Sequence, residues 1–249
     1  MNKANVQKMY TIEQCSIYSS ERINGVLVYS FNDHNMALPI WGHVSHLINQ
    51  PLSLVSFDYH TDTHAPFTVA KQRGDYYDYD LGNKRVCRKN YNFCEAFAIA
   101  RSFVNNDEQI LLAYEWGYIN SYTIICNEEQ QSCDSMKSSD RKNGYKAAYY
   151  SRSFWDERHK EIMTRIEEPF ILDIDLDYFR NARDFDETFR TSISTLAEKA
   201  EVVTVAKEAD CFNHCKDDKS FINEVALETV LSIIRNKELK TLEDNLASN

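Results

Sequence analysis

Two segments of this chain place acidic side chains at alternate positions within or directly after an apolar run. Their residues are, in order, Asp58, His60, Asp62 and Asp173, Asp175, Asp177. Side chains alternate across a β-strand, so residues two or four positions apart point to the same face. Carboxylates gathered on one side repel one another and resist desolvation unless a cation neutralises them. The two segments therefore predict a metal site.

A third segment has the same arrangement. The apolar residues 26–31 end in Asn32, Asp33 and His34, and a helical pattern follows directly. We therefore expect His34 at the same edge of the sheet as the two acidic segments. Carboxylate and imidazole ligands without a thiolate suit harder or borderline divalent ions such as Mn²⁺. Because this many protein ligands exceed what one ion usually takes, we expect two ions.

The elements that must position these residues alternate between strand and helix patterns. Strand patterns cover residues 25–31, 52–57, 109–114, 170–175 and 201–206. Helical patterns cover residues 36–48, 93–103, 156–166 and 221–234, together with a helix capped by Asp186. Such alternation of apolar strands with helices predicts an α/β fold, a three-layer α/β/α sandwich with a mainly parallel sheet. In such sheets ligands bind beyond the carboxyl ends of the strands, where all three segments lie.

Length and composition favour one domain spanning residues 1–249. The chain is 43% hydrophobic, and its 6 glycines and 4 prolines are too few for long linkers. Its formal net charge of -10 disfavours nucleic acid and anionic membrane as partners and favours cationic ones. Because no apolar stretch has the length of a membrane span or the pattern of an export signal, we expect a cytoplasmic protein with reduced cysteines.

Together the three segments resemble the metal signature of the arginase (ureohydrolase) superfamily. In that family a strand ends in Asp-His before a helix, a second strand precedes Asp-Ala-His-x-Asp, and a third precedes Ser-x-Asp-x-Asp. The resemblance implies that two Mn²⁺ ions are held by His34, Asp58, His60, Asp62, Asp175 and Asp177. Asp173 then replaces the family's serine. The spacing alone also permits Asp173 and Asp175 as the ligand pair.

Residues 34–41 and 172–179 are more similar still to the peptide arginases, which convert arginine side chains of ribosomally made precursor peptides to ornithine. After Asp62 we find no recognisable motif that grips the amino and carboxylate groups of free arginine. The resemblance therefore implies an arginine-containing precursor peptide as substrate and urea as a product. Two other functions stay open, a small-molecule amidinohydrolase (or related deacylase) on the same fold and a non-catalytic metal-binding module.

The resemblance also implies catalytic roles. A hydroxide held between the ions would attack the guanidinium carbon, with Asp62 orienting it. Ordinary arginases hold the guanidinium with a glutamate after a late strand, and Glu208 follows the predicted strand 201–206. His64 is the nearest candidate for the proton shuttle that such enzymes use.

Two further polar segments have simpler interpretations. Residues 75–80 are three aspartates and three tyrosines and are most simply a solvated loop, although they could also receive a cationic peptide. Cys211, His214 and Cys215 have the spacing of half a zinc site, but the chain offers no second half. We therefore expect these cysteines to be ordinary reduced thiols.

Overall fold

One seven-stranded sheet organises the computed structural model, which describes residues 17–67, 91–127 and 143–235. The strands are β1 (Ser19–Ile23), β2 (Val26–Phe31), β3 (Leu52–Asp58), β4 (Ile119–Cys126), β5 (Ala147–Ser151), β6 (Phe170–Asp175) and β7 (Val202–Ala206). Their order is β1-β2-β7-β6-β3-β4-β5, and β1 alone pairs antiparallel. The acidic segment 75–80 lies outside the described residues.

Helices cover both faces of the sheet. They are α1 (Ala37–Leu47), α2 (Phe93–Phe103), α3 (Gln109–Glu115), α4 (Arg152–Met163), α5 (Glu187–Ala197), α6 (Ala209–Cys215) and α7 (Asn223–Ile234). Apolar residues of α1, α2 and α3 join one core cluster, and those of α4 to α7 join a second. Neighbouring residues of β3 alternate between these clusters, with Leu54 in the first and Val55 in the second. The predicted three-layer α/β/α sandwich is confirmed.

Central strands are buried along their whole length. Every residue of β3, β6 and β7 is buried, as expected for parallel strands packed against helices on both faces. The helix after β6 begins where Asp186 accepts a hydrogen bond from the backbone N–H of Phe189, which confirms the predicted cap. Among the described residues, no helix is long and apolar enough to cross a membrane.

The strand predicted at residues 109–114 is wrong, because these residues form helix α3. Its residues 109–113 are buried in succession, and α3 packs on α1. A short apolar run of this kind has no periodicity that separates a buried strand from a buried helix. Strand β3 lies between β6 and β4 in the sheet. The sequence interpretation missed β4, together with β1, β5 and helix α6.

The cysteines differ in state. Cys94, Cys211 and Cys215 are free thiols, as predicted for the last two. Cys126, at the end of β4, is disulfide-bonded, so the expectation of reduced cysteines throughout the chain is wrong at this position.

The strand order explains how distant segments meet. Strands β2, β7, β6 and β3 are consecutive in the sheet and parallel to one another. Their carboxyl ends therefore lie along one edge of the sheet. The residues that follow those ends, at positions 34, 208, 177 and 62, are separated widely in sequence and adjacent in space.

Candidate metal centre

The imidazole of His34 lies at the middle of a polar cluster. The other residues of this cluster are Asp58, His60, Asp62, Asp173, Asp175, Asp177 and Glu208. The residue starts a short 3₁₀ turn, His34–Met36, between β2 and α1, and its side chain is fully buried. Its Nε2 lies 2.8 Å from Oδ2 of Asp173. Because a carboxylate only accepts hydrogen bonds, Nε2 carries the proton and donates it. In the neutral ring, Nδ1 therefore presents a lone pair.

That second ring nitrogen faces three carboxylates. The distances from Nδ1 to the Oδ2 atoms are 2.8 Å for Asp62, 3.1 Å for Asp175 and 3.5 Å for Asp58. None of these three contacts has the geometry of a hydrogen bond to Nδ1. Burial alone would lower the pKa of His34, but the charges of Asp173 and Asp175 outweigh burial and raise this pKa well above its usual value. A positive charge is needed at this point, as a proton or as a metal ion.

Asp58 is the last residue of strand β3, and its two carboxylate oxygens have different surroundings. Its Oδ1 accepts a hydrogen bond of 2.8 Å from the backbone N–H of His60. Its Oδ2 is buried and has no hydrogen-bond partner in the described part of the chain. Burial, together with repulsion from the neighbouring aspartates, raises the pKa of Asp58 well above its usual value. Without a cation, this carboxylate is therefore costly to ionise.

His60 and Asp177 form the outer side of the cluster. Nδ1 of His60 lies 3.4 Å from Oδ2 of Asp177, and the His60 side chain is 46% exposed. Asp177 lies in the 3₁₀ turn Leu176–Tyr178 that follows β6, and its Oδ1 accepts a hydrogen bond from the backbone N–H of Tyr59. The exposed imidazole makes this side of the cluster the one nearest solvent.

Asp62 reaches the cluster by a different path from Asp58. The chain leaves the sheet after Asp58, and Asp62 has a positive φ of 46°. Its Oδ2 accepts a hydrogen bond of 2.8 Å from Nε2 of Gln109. Burial opposes ionisation of Asp62, but the charge of His34 and the hydrogen bond from Gln109 lower its pKa. The predicted convergence of Asp62 with Asp58 therefore occurs, although not through strand alternation.

Asp173 and Asp175 lie in the same strand and have different surroundings. Asp173 accepts hydrogen bonds from Ser56 Oγ (2.8 Å) and Thr204 Oγ1 (2.6 Å), in addition to the one from His34. Asp175 instead directs Oδ2 towards Nδ1 of His34, and burial and repulsion from Asp177 raise its pKa. Asp173 thus lies behind the imidazole. This geometry favours Asp175 and Asp177, rather than Asp173, as the pair that faces an ion.

Within the described part of the chain there are three sets of donors, and in each set the ligand atoms lie within 4.8 Å of one another. They are His34, Asp58, Asp62; Asp58, His60, Asp177; and His34, Asp175, Glu208. The donors are carboxylates and imidazoles, and most are buried. These buried clusters could hold a metal ion, and their oxygen and nitrogen donors fit a hard or borderline divalent cation.

Glu208 is fixed at the edge of the cluster by its backbone. It has a positive φ of 35°, which strains a non-glycine residue, and it precedes α6. Its N–H donates to the carbonyl of Asn32 (2.8 Å), and its Oε1 accepts from the N–H of His34 (3.0 Å). Burial raises the pKa of Glu208. The thiol of Cys211 is hydrogen-bonded to this carboxylate, and burial and the charge of Glu208 raise its pKa to about 12.

His64 lies apart from the three donor sets. Its Nδ1 is 3.0 Å from Oδ2 of Asp107, its backbone N–H donates to the carbonyl of Asp107, and its side chain is 67% exposed. The structure therefore brings the other sequence-predicted residues together. His64 instead pairs with the exposed carboxylate of Asp107, outside the donor sets.

Sequence reasoning missed the residues that hold the donors in place. Ser56, Thr204 and Gln109 are fully buried and hydrogen-bond to the aspartates of the cluster. Ser56 and Thr204 do carry a signal, because each is a polar residue within an otherwise apolar central strand. Gln109 was hidden by the assignment of its segment to a strand.

No protein-family model matches this chain, and no curated protein matches it. Function is therefore inferred from the donors themselves, from their burial and from the strand ends that carry them.

Proposed function

We propose that this protein is an Mn²⁺-dependent hydrolase that converts arginine side chains of a precursor peptide to ornithine and releases urea. The observation that carries the proposal is the convergence of the donors from three strand ends around Nδ1 of His34, with Glu208 fixed beside them. A buried cation site next to an anchored carboxylate suits a cationic substrate whose central carbon must be attacked by water.

Two of the donor sets would each hold one of two ions. One ion would take His34, Asp58 and Asp62, with Asp175 close to the same imidazole nitrogen. The second would take Asp58, His60 and Asp177. The orphaned Oδ2 of Asp58 and the raised pKa of this carboxyl both support a resident cation. When bound, such ions lower the pKa of water and so supply a nucleophile near neutral pH.

Glu208 would hold the guanidinium. Its carboxylate is aligned by the N–H of His34, and its strained backbone is tied to β2 through Asn32, so little freedom is lost when the substrate binds. Hydrogen bonds between a carboxylate and a guanidinium are charge-assisted and stronger than neutral ones. The positive charge of the substrate would also favour the ionised form of Glu208, whose pKa burial raises.

Asp62 and His64 would orient the attacking water and transfer protons. Water adds to the guanidinium carbon, and the bond from this carbon to the side-chain nitrogen breaks. Over the whole step that nitrogen gains two protons, equal in number to those of the water, and leaves as the ornithine ammonium, while the carbon leaves as urea. Asp62, whose lowered pKa keeps it ionised, would orient the nucleophile. We assign the shuttle that returns a proton from solvent to His64, because it is exposed and paired with Asp107.

A peptide-borne arginine fits the loop after Asp62 better than free arginine does. Thr63 Oγ1 accepts a hydrogen bond from the hydroxyl of Tyr149, and His64 pairs with Asp107. The two polar side chains that follow Asp62 are thus already engaged by the protein, rather than presented as a clamp for an amino acid. The exposed Asp33 and Asp210, beside His34 and Glu208, add negative charge that suits a cationic peptide.

The test is turnover by the Mn²⁺-loaded protein of synthetic peptides that carry arginine in varied contexts. Mass spectrometry should show loss of the mass of CH₂N₂ for each arginine converted, with a matching amount of urea. Asp58→Asn, loaded in the same way, serves as the inactive control. Turnover of free arginine or agmatine without any peptide turnover would instead support the small-molecule amidinohydrolase. Binding of Mn²⁺ without turnover of any guanidino compound would support the non-catalytic module.

A further inference from the structure

We infer that Gln109 is a positioning residue that builds one of the two metal positions by fixing the carboxylate of Asp62. This inference rests on the metal centre of the proposed function and adds a residue outside the ligand set. Gln109 is the first residue of α3 and is fully buried. Its Nε2 donates a hydrogen bond of 2.8 Å to Oδ2 of Asp62, the same atom that lies 2.8 Å from Nδ1 of His34.

Asp62 needs such a contact because no strand holds it. The chain between Asp58 and Asp62 has left the sheet, and Asp62 has a positive φ. The loop is instead attached to the turn before α3. The N–H of His64 donates to the carbonyl of Asp107 (2.9 Å), and the N–H of Phe67 donates to Oε2 of Glu108 (3.0 Å). These two contacts hold the backbone of the loop, whereas Gln109 holds the Asp62 carboxylate itself.

The amide of Gln109 is oriented for Asp62 at a cost to the fold. Its Oε1 is buried and has no hydrogen-bond partner in the described ranges 17–67, 91–127 and 143–235. A buried polar atom without a partner destabilises the folded state. Rotating the amide would place its oxygen against the Asp62 carboxylate, so this orientation is the favourable one. An unbranched apolar side chain of the same length would fill the space without the unpaired atom, so packing alone does not require glutamine.

The effect of Gln109 should be confined to one ion. Asp62 belongs to the donor set of His34 and Asp58 and is absent from the outer set of Asp58, His60 and Asp177. A residue that orients only Asp62 therefore stabilises the inner position and leaves the outer one unchanged. Residues that orient metal ligands typically contribute about 10- to 100-fold to metal affinity.

The test compares Gln109→Met with wild type by titration with Mn²⁺ alone, followed by electron paramagnetic resonance. We expect wild type to bind two ions with the signal of a coupled pair. Gln109→Met should bind one ion with wild-type affinity and the other with an affinity about 10- to 100-fold lower. At intermediate Mn²⁺ concentration it should therefore show the signal of an isolated ion. If Gln109→Met does not fold, Gln109→Ala, which also removes the amide donor, should show a loss of affinity for the same ion.

The matched control is Glu108→Gln, which alters the neighbouring residue of the same turn and leaves the Gln109 contact intact. Two bound ions with wild-type affinity in this control support the inference. Equal loss in both variants would overturn it, because loosening of the turn would then explain the effect. Two ions of unchanged affinity in Gln109→Met would also overturn it. Wild type that binds no Mn²⁺ would sink both this inference and the proposed function, whereas Mn²⁺ binding without peptide turnover would sink the function alone.

Discussion

The ends of strands β3 and β6 carry the same alternating acidic pattern and use it differently. At β6, Asp173 and Asp175 both lie in the extended strand and point to one face. At β3 only Asp58 lies in the strand, and Asp62 returns to the cluster through a left-handed backbone and the amide of Gln109. Strand alternation therefore explains the convergence at β6, and tertiary contacts explain it at β3.

A second contrast separates Asp173 from Asp58. The protein supplies Asp173 with donors from Ser56, Thr204 and His34. It leaves Oδ2 of Asp58 buried without a hydrogen-bond partner within the described residues. A buried carboxylate that protein donors satisfy stabilises the fold, whereas one that lacks them must take up a proton or a cation. Asp173 therefore orients its neighbours within the fold, whereas Asp58 is suited to bind a proton or a cation. The hydrogen-bond donors around each aspartate account for this difference.

Asp58→Asn should have the largest effect on metal binding. Because Asp58 belongs to both the inner and the outer donor set, we expect a loss of Mn²⁺ affinity beyond the range of about 10- to 100-fold that is typical of residues outside the ligand set. The metal-free variant should be at least as stable as wild type, since a buried carboxylate with a raised pKa is removed. Calorimetric titration and thermal unfolding measure the two effects. Full retention of both ions would show that Asp58 is not shared.

Asp173→Asn should lower the stability of the metal-free protein and reduce Mn²⁺ affinity less than Asp58→Asn does. The amide group cannot accept all the hydrogen bonds that the carboxylate accepts, so we expect a loss of about 1–3 kcal/mol in the free energy of unfolding. Mn²⁺ affinity should fall by about 10- to 100-fold through misorientation of His34, with both ions still able to bind. Urea unfolding of the metal-free protein, together with Mn²⁺ titration, tests this. Unchanged stability with complete loss of an ion would instead make Asp173 a ligand.

The stability of the metal-free protein should depend on pH, because the pKa values of several groups in the cluster are shifted. The pKa values of His34, Asp58 and Asp175 are raised, so in the metal-free protein their protonated forms contribute stability at low pH that is lost as the pH rises. The lowered pKa of Asp62 acts in the other direction, because its contribution is lost as the pH falls.

If Mn²⁺ occupies the centre as proposed, it displaces the protons of His34, Asp58 and Asp175, so its affinity should rise by about tenfold per pH unit for each proton released. Thermal unfolding from about pH 5 to about pH 8, with and without Mn²⁺, should show a stabilisation by metal that increases with pH. A stabilisation that is equal at both ends of this range would contradict the prediction.

His64→Asn should have the smallest effect on metal binding. Because the imidazole pairs with Asp107 and is largely exposed, we expect Mn²⁺ affinity to stay within about twofold of wild type. Turnover of peptidyl arginine should nevertheless fall by about 100-fold, the lower range for loss of a general acid or base. Steady-state kinetics on the metal-loaded variant measure this. Unchanged turnover would remove His64 from the mechanism.

The layered fold and the meeting of three strand ends were predictable from the sequence, because apolar strands alternate with helices and the sheet aligns their carboxyl ends. The role of Asp173 was not, since its donors Ser56 and Thr204 come from neighbours in a strand order that the sequence does not state. Gln109 was out of reach for a related reason: residues 109–114 lack the periodicity that separates a short helix from a strand.

Among the described residues, strand β7 is the last in sequence, and it lies between β2 and β6 in the sheet. Within the sheet, the strand that precedes His34 and the strand that ends at Asp175 are therefore not joined until residues 202–206 have been synthesised and inserted. Contacts between residues so distant in sequence form late, because the connecting chain must first lose its freedom. Uptake of a metal ion by this centre should consequently report completed folding, and chains shortened before β7 should bind none at that position.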